Sequence, residues 1–321
     1  MGSNLFHSII LGFAVGDALG VPFEFLESDE VKFNYKDEMI GGGTHNQPAG
    51  TFSDDTSLLC CAIEALIYDN SLQRIADNFL KWKNENFWSA RGEVFDIGNT
   101  TLIALKALEN NGDLTGQATN NEYNCGNGSL MRILPLLPYT LHMDMNEKFD
   151  FIHSVSAITH GHIRNSIACF IYLEFAKNII EDKTGNKNII LSKTVRNVLK
   201  YLQLKKETAE ELKHFNQLFN KLPQHLNAHE ISNSGYVVDS LILSIHCFMK
   251  YNRYEMCVWY AISFGGDTDT NAALTGGLCT LQGGNKEIPE RWLNQLAKKN
   301  ELFDLAERWN KSFNKITTCA I

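Results

Sequence analysis

The chain has 321 residues and a net charge of −8, from 37 acidic against 29 basic side chains, with 44% hydrophobic and 21% charged residues. This balance excludes a disordered chain and lacks the basic excess of a general nucleic-acid binder, while the length allows one large domain or two small ones. Eight scattered cysteines without a C-x-x-C pair speak against a zinc site. They fit reduced thiols packed as small hydrophobes, so a cytoplasmic location is expected.

In chain order, Leu5, Ile9, Gly12, Phe13 and Gly16 share one helical face whose small residues admit a close neighbour. No basic residues precede the apolar stretch from Ile9 to Val15, so a cleaved signal is not expected. No window is expected to approach the roughly 20 apolar residues of a membrane span. Gly20 suits a helix C-cap, and Asp17 on this apolar helix reads as a buried, hydrogen-bonded structural group. Glu24 sits between Phe23 and Phe25. Desolvation there would raise its pKa and make it a base; a surface Glu between two buried rings is the alternative.

Ser53-Asp54-Asp55-Thr56 precedes the helical run Leu58, Leu59, Ala62, Ile63, Ala65 and Leu66. Ser and Asp here can cap the helix, or serve as hard oxygen ligands for Mg²⁺ or Mn²⁺. Further helical runs are expected over Leu72 to Trp82 and Thr100 to Glu109. The loop Phe95 to Thr101 and the loop Asn124 to Arg132 are rich in Gly and Asn. Such loops expose N–H groups to phosphates, or are ordinary turns. Helices over Phe149 to Thr159 and Ile163 to Ile180 flank Thr159-His160-Gly161-His162, which is either a polar turn or a substrate contact through His160.

The segment from Glu181 to Asn233 is rich in Lys, Asn, Glu and Gln with interspersed Leu, Ile and Phe. It reads as a peripheral helical insertion (181–233), either a solvated helical pair or a partner-binding face. Helical runs resume over Val237 to Lys250 and Tyr254 to Phe264. Gly265-Gly266 then permits a tight turn into Asp267-Thr268-Asp269-Thr270, and Asn271 to Leu281 is again helical. Two clusters with paired carboxylates and hydroxyls exceed what capping needs. Gathered in one fold they would repel unless cations neutralised them, and the surplus suits two ions. Alternating strand patterns are scarce, so the expected class is all-α, one domain over 1–321.

Taken together, these segments resemble the ADP-ribosylglycohydrolase family, including its dinitrogenase-reductase-activating members. The resemblance runs in family order through the GDALG helix, Pro22-Phe23-Glu24, the SDDT cluster, the Trp88-Ser89 to Thr101 stretch, the GNGSLMR loop, Thr159-His160, Ser234 to Asp239, the GGDTDT cluster and Ile288 to Trp292. It implies a compact, orthogonal multi-helix bundle with a binuclear Mg²⁺ or Mn²⁺ cleft. By position, Ser53, Asp54, Asp55, Asp267, Asp269 and Thr270 would be the metal ligands, with Glu24, Asp55 and Asp269 carrying the catalysis. Gly98, Asn99, Thr100, Asn124, Gly126, Asn127, Gly128, Ser129 and His160 would hold the ADP-ribose. Ser53 stands where many members have Thr, which keeps the hydroxyl, and Asn124 lies near where some arginine-directed members carry an acid.

The implied reaction is hydrolysis of the bond between ADP-ribose and a protein side chain, arginine first. Serine-linked or poly-ADP-ribose, an ADP-ribosyl metabolite, or a non-catalytic ADP-ribose binder or blocker of an ADP-ribosyltransferase are the alternatives. The expected partner is therefore an ADP-ribosylated protein or an ADP-ribose-containing small molecule, with no nucleic acid and no membrane.

Overall fold

Small residues on the first helix decide what it packs against. In the computed structural model, which describes residues 4–33, 38–69, 71–221, 223–284 and 287–319, this helix is α1 (Asn4–Gly20). It is followed by α2 (Ser28–Phe33), α3 (Asp54–Tyr68), α4 (Leu72–Glu85), α5 (Asn99–Asn111), α6 (Leu137–Thr140), α7 (Met145–Ala157) and α8 (Ile163–Glu181). Then come α9 (Lys187–Leu202), α10 (Lys206–Glu211), α11 (Val237–Lys250), α12 (Tyr254–Ile262), α13 (Thr268–Gly283), α14 (Glu290–Gln295) and α15 (Lys299–Cys319). Among the described residues there is no strand, only isolated bridges such as Gly126 with Tyr236, so the expected all-α class holds.

Helices α1 and α13 form the central pair. A Cβ on Gly16 would lie 2.3 Å from the Ala272 carbonyl oxygen, and one on Gly276 would lie 2.2 Å from the Gly12 carbonyl oxygen. Only glycine lets the two backbones approach this closely, and any larger residue would force the pair apart. Side chains then tie the pair together. Thr280 Oγ1 donates to the Ser8 carbonyl (2.7 Å), and the Tyr254 hydroxyl of α12 donates to the Gly12 carbonyl (2.7 Å). Around this axis pack α3, α8, α11, α12 and α15, burying Phe6, Phe13, Leu58, Ile171, Leu243 and Trp309.

Two features depart from the sequence expectations. Leu5–Phe23 is long and apolar enough, by length and composition, to cross a membrane, with 19 residues at mean hydropathy 1.5. The fold turns that surface inward instead: 89% of the window is buried. Helix α15 was not among the expected helices. Its Leu302, Leu305, Ala306 and Trp309 are fully buried at spacings of three and four, and Trp309 meets Phe6 of α1 edge-on at 4.7 Å between centroids. That periodicity is present in the sequence but is diluted by Lys, Asn and Glu on the solvated face. The segment 181–233 contributes α9 and α10; α9 packs on α8, and its Ile190, Leu191 and Val198 are buried. The seven described cysteines are buried free thiols.

Candidate metal centre and substrate cleft

The close approach of α1 and α13 carries the acidic residues with it. Asp17, on α1, accepts hydrogen bonds from the Ser53 N–H (2.9 Å), the Thr56 N–H (3.0 Å) and the Thr56 hydroxyl (2.6 Å). It therefore satisfies donors that the start of α3 would otherwise bury unpaired. Ser53 is the N-cap of α3, accepting from the Asp55 N–H at 3.2 Å, which leaves Asp54 and Asp55 in the first turn. On the other side, Gly265 and Gly266 adopt positive φ (71° and 67°) and turn the chain into Asp267 and α13. Thr268 Oγ1 fastens that turn by donating to the Gly20 carbonyl at 2.8 Å.

The two helix starts, distant in sequence, meet where Thr270 Oγ1 donates to Asp55 Oδ2 at 3.0 Å. One carboxylate oxygen from each of Asp17, Asp55 and Asp269 falls within 4.8 Å of the others. Asp54 and Asp267 line the adjoining cleft together with Thr270, whereas Ser53, Asp55 and Asp269 are buried and do not line it. Two positive helix ends favour anions here, but they do not cancel this much charge. Burial first, and then repulsion among the neighbouring carboxylates, holds Asp54, Asp55 and Asp269 well above the usual carboxylate range. Burial also lifts Asp267, and lifts Asp17 to about 6 against the hydrogen bonds it accepts. Among the described residues, no hydrogen-bond donor reaches the buried Asp269 Oδ1. A hard divalent cation fits this donor set, since carboxylate and hydroxyl oxygens suit it and its charge removes the repulsion.

A second acidic group stands beside the first. His45 Nε2 lies 2.5 Å from Glu24 Oε2 and 3.6 Å from Asp96 Oδ1, with the imidazole centroid 6.1 Å from the Phe25 ring and 5.3 Å from the Phe95 ring. Burial, with added repulsion from Asp269 and Asp96, raises Glu24 far above its ordinary range; burial and Asp267 lift Asp96 to about 7. Glu24 was singled out from the sequence, whereas His45 and Asp96 were not. They sit in loops whose residues gain meaning only when the chain brings them to Glu24. Phe25 is 62% exposed at the mouth despite a positive φ of 65°, and such strain is typical of functional loops.

The cleft between these groups is about 390 Å³ in volume. Of the residues expected to hold substrate, Gly98, Asn99, Thr100, Gly126, Asn127, Gly128 and His160 line it. Asn127 Nδ2 donates to Asp267 Oδ2 (2.7 Å) and Ser240 Oγ (2.9 Å), so this loop is tied to the acidic centre. Asn124 and Ser129 do not line the cleft. Thr100 Oγ1 donates to Asn124 Oδ1 at 3.2 Å. Ser129 is fully buried, because the 3₁₀ turn over 127–132 points its hydroxyl into the core, where the Ser156 hydroxyl donates to it at 2.9 Å. A direct side-chain contact from Ser129 to substrate is therefore not part of this geometry.

His160 is 2% exposed and neutral, because burial and the Arg132 charge push its pKa down to about 3. Arg132 can only donate, and its guanidinium donates to Thr159 Oγ1 at 2.7 Å. The Thr159 proton is thus free for His160 Nδ1 at 2.8 Å. This leaves the imidazole proton on Nε2, the nitrogen nearer the Gly126–Gly128 loop. A Cβ on Gly128 would lie 2.7 Å from the ring, so only glycine leaves room for it. The wall therefore offers an uncharged N–H donor, of the kind that suits a phosphate or ribose oxygen.

Comparison with known proteins places these features in context. The sequence profile of the ADP-ribosylglycohydrolase family matches residues 4–318. The chain is 27% identical to the ADP-ribosylarginine hydrolase Tri1 of Serratia proteamaculans over 301 residues, covering 93% of this chain and 77% of the relative. It is likewise 27% identical to the ADP-ribosyl-dinitrogen reductase glycohydrolase of Rhodospirillum rubrum, covering 91% of this chain and 90% of the relative. A putative ADP-ribosyl glycohydrolase of Acanthamoeba polyphaga mimivirus is 30% identical over 308 residues, covering 90% of each chain. The fold matches a solved chain titled as an ADP-ribosylglycohydrolase-related protein complex, with a TM-score of 0.77 at 24% identity, covering 97% of this chain and 98% of that one.

Proposed function

This chain belongs to the ADP-ribosylglycohydrolase family, and from that premise we propose that it uses divalent cations to hydrolyse the bond joining ADP-ribose to an arginine side chain. The observation that carries the reading is the pair of facing helix starts. Asp55 and Thr270 touch across the centre, and among the described residues no Lys or Arg offsets the charge of Asp54, Asp55 and Asp269. The arginine assignment draws support from the relatives named for ADP-ribosylarginine and ADP-ribosyl-dinitrogen reductase. It also draws on the cleft wall, which Glu24 and Asp96 line together with the exposed Phe25 ring. Carboxylates with an aromatic face suit a guanidinium better than a neutral hydroxyl.

In this reading Ser53, Asp54, Asp55, Asp267, Asp269 and Thr270 hold the ions, two of them Mg²⁺ or Mn²⁺, with Asp17 beside Asp55 and Asp269. When bound, the ions supply positive charge and Lewis acidity at the ribose hydroxyls. His160 Nε2–H and the backbone amides of 98–100, Gly126 and Gly128 hold the diphosphate and sugar. Glu24 takes the proton of the attacking water, and cations that neutralise its acidic neighbours bring its carboxyl toward the ionised form this role needs. Asp96 and Glu24 stabilise the positive charge that develops on the sugar as the bond breaks.

The test is a release assay on arginine-, serine- and poly-linked ADP-ribose, each with and without EDTA. Arginine release that EDTA abolishes and Mg²⁺ or Mn²⁺ restores is expected. Release that survives EDTA would sink the metal dependence, and preference for the serine linkage would sink the arginine assignment.

A further inference from the structure

The cleft loop at 124–129 has no α-helix of its own to fix it, only the ends of the 3₁₀ turns over 122–124 and 127–132. It is held from behind. Asn165 Nδ2, in the first turn of α8, donates to the Gly126 carbonyl at 2.6 Å. The Val237 N–H donates to the Cys125 carbonyl (3.0 Å), and the Asn127 N–H donates to the Gly235 carbonyl (2.9 Å). Both supports, the start of α8 and the strip 235–237, converge on one side chain. Arg164 adjoins Asn165, is 5% exposed, and places its guanidinium 5.9 Å from the centre of the Tyr236 ring.

Arg164 is in turn gripped from outside. Its Nε donates to Glu211 Oε2 at 2.6 Å, and a terminal nitrogen donates to His214 Nε2 at 2.8 Å. Glu211 ends α10 and His214 lies in the next turn, so both belong to the peripheral segment rather than to the core. A guanidinium buried this far needs partners, because stripping its water without replacing the hydrogen bonds is costly. Its fork is rigid, so partners at two nitrogens fix its plane and therefore its packing on Tyr236.

We infer that Arg164 is a positioning residue for the 124–129 loop, and that the peripheral segment sets substrate affinity through its grip on Arg164. The inference rests on the reading of the cleft as an ADP-ribose site. It gives the segment 181–233 a role in the reaction without a contact to substrate: 206–214 is the outer jaw of a clamp whose inner jaw is Tyr236.

The test compares the parent with Glu211→Gln, which keeps the shape and removes the charge, and with His214→Gln, which leaves the ion pair intact. Free ADP-ribose with Mg²⁺ is titrated by calorimetry, and amide exchange is followed along the whole chain. For Glu211→Gln, Kd for ADP-ribose and KM should rise about fivefold to tenfold while kcat stays within about twofold. Amide exchange at 124–129 should quicken about tenfold, with α1 and α13 unchanged, and the thermal shift on adding Mg²⁺ should match the parent. His214→Gln should move the same readouts in the same direction by less.

Faster exchange confined to 206–215 with unchanged Kd overturns the inference, as does an equal loss of kcat and kcat/KM. If both variants fail to fold, the clamp is a structural keystone and the positioning role is rejected. A parent protein that binds no ADP-ribose instead counts against the proposed function, and the exchange data then decide the clamp by themselves.

Discussion

Asp17 accepts the Thr56 hydroxyl at 2.6 Å, so the start of α3 is capped by a side chain from α1 and not only by its own Ser53. The consequence is mechanical. Asp54 and Asp55 are positioned by α1, which the glycines hold against α13, and α13 carries Asp269 and Thr270. Three helices thus share one frame for the acidic centre, and a change in any of them should be felt at the others.

Asp17→Asn tests that frame. An amide keeps the volume but turns one acceptor into a donor that faces the Ser53 and Thr56 donors. The variant should lose about 1–3 kcal/mol of stability by chemical unfolding, the cost of leaving buried donors unpaired. Activity should fall with it. Unchanged stability would mean that Ser53 alone is a sufficient cap.

Asp55→Asn and Asp269→Asn address the ion-binding role. Each should cut ADP-ribose release by about a thousandfold or more. Each should also make the metal-free protein more stable in thermal unfolding, because a buried carboxylate under mutual repulsion is removed. The stabilisation that Mg²⁺ confers on the parent should disappear. A capping-only role predicts the reverse, with lower stability and intact turnover.

Metal-free stability should depend on pH in a defined direction. Asp96 is lifted to about 7 and Asp17 to about 6, against 3.8 in the unfolded chain. The folded state therefore keeps protons that the unfolded state releases. This contribution to stability is full below pH 3.8 and is lost as pH rises through 6 and 7. Divalent cations replace those protons, so the rise in Tm on adding Mg²⁺ should be small at pH 5.5 and larger at pH 7.5, as read by differential scanning fluorimetry. A shift that shrinks as pH rises would argue against binding at these carboxylates.

His160 acts with the opposite sign. Its folded pKa of about 3 lies below the ordinary 6.5, so the unfolded chain takes up a proton that the folded chain refuses. Stability from this group is complete above pH 6.5 and declines as pH falls toward 3, by a few kcal/mol in all. His160→Gln should flatten that decline relative to the parent in acid titrations followed by circular dichroism. It should also raise KM at neutral pH if the Nε2–H contacts the substrate; a variant with parental KM would remove His160 from the binding wall.

The all-α class was readable because apolar residues recur at spacings of three and four through most of the chain, and strand alternation is scarce. The two acidic clusters were readable for a chemical reason. Paired carboxylates with hydroxyls ahead of a helix are more than a cap requires, and the ordered motifs around them gave the family. Other features were hidden. The stripe of Leu302, Leu305 and Trp309 is masked by the polar residues between them, and Ser129 faces the core because a 3₁₀ turn directs side chains differently from an irregular loop. His45 and Asp96 carry no local pattern and matter only through Glu24.

The sequence by itself determined which residues could bind a hard cation, where most of the helical runs lie, and the family to which the chain belongs, because these follow from residue chemistry and short-range periodicity. The tertiary structure decided what those residues do to one another. It placed Thr270 against Asp55, turned the apolar first helix inward onto α13, and set the peripheral Glu211 on Arg164 behind the cleft loop. Such contacts join positions tens to hundreds of residues apart, and no local spacing encodes them. They arise only when close-packed helices bring distant side chains within hydrogen-bond reach.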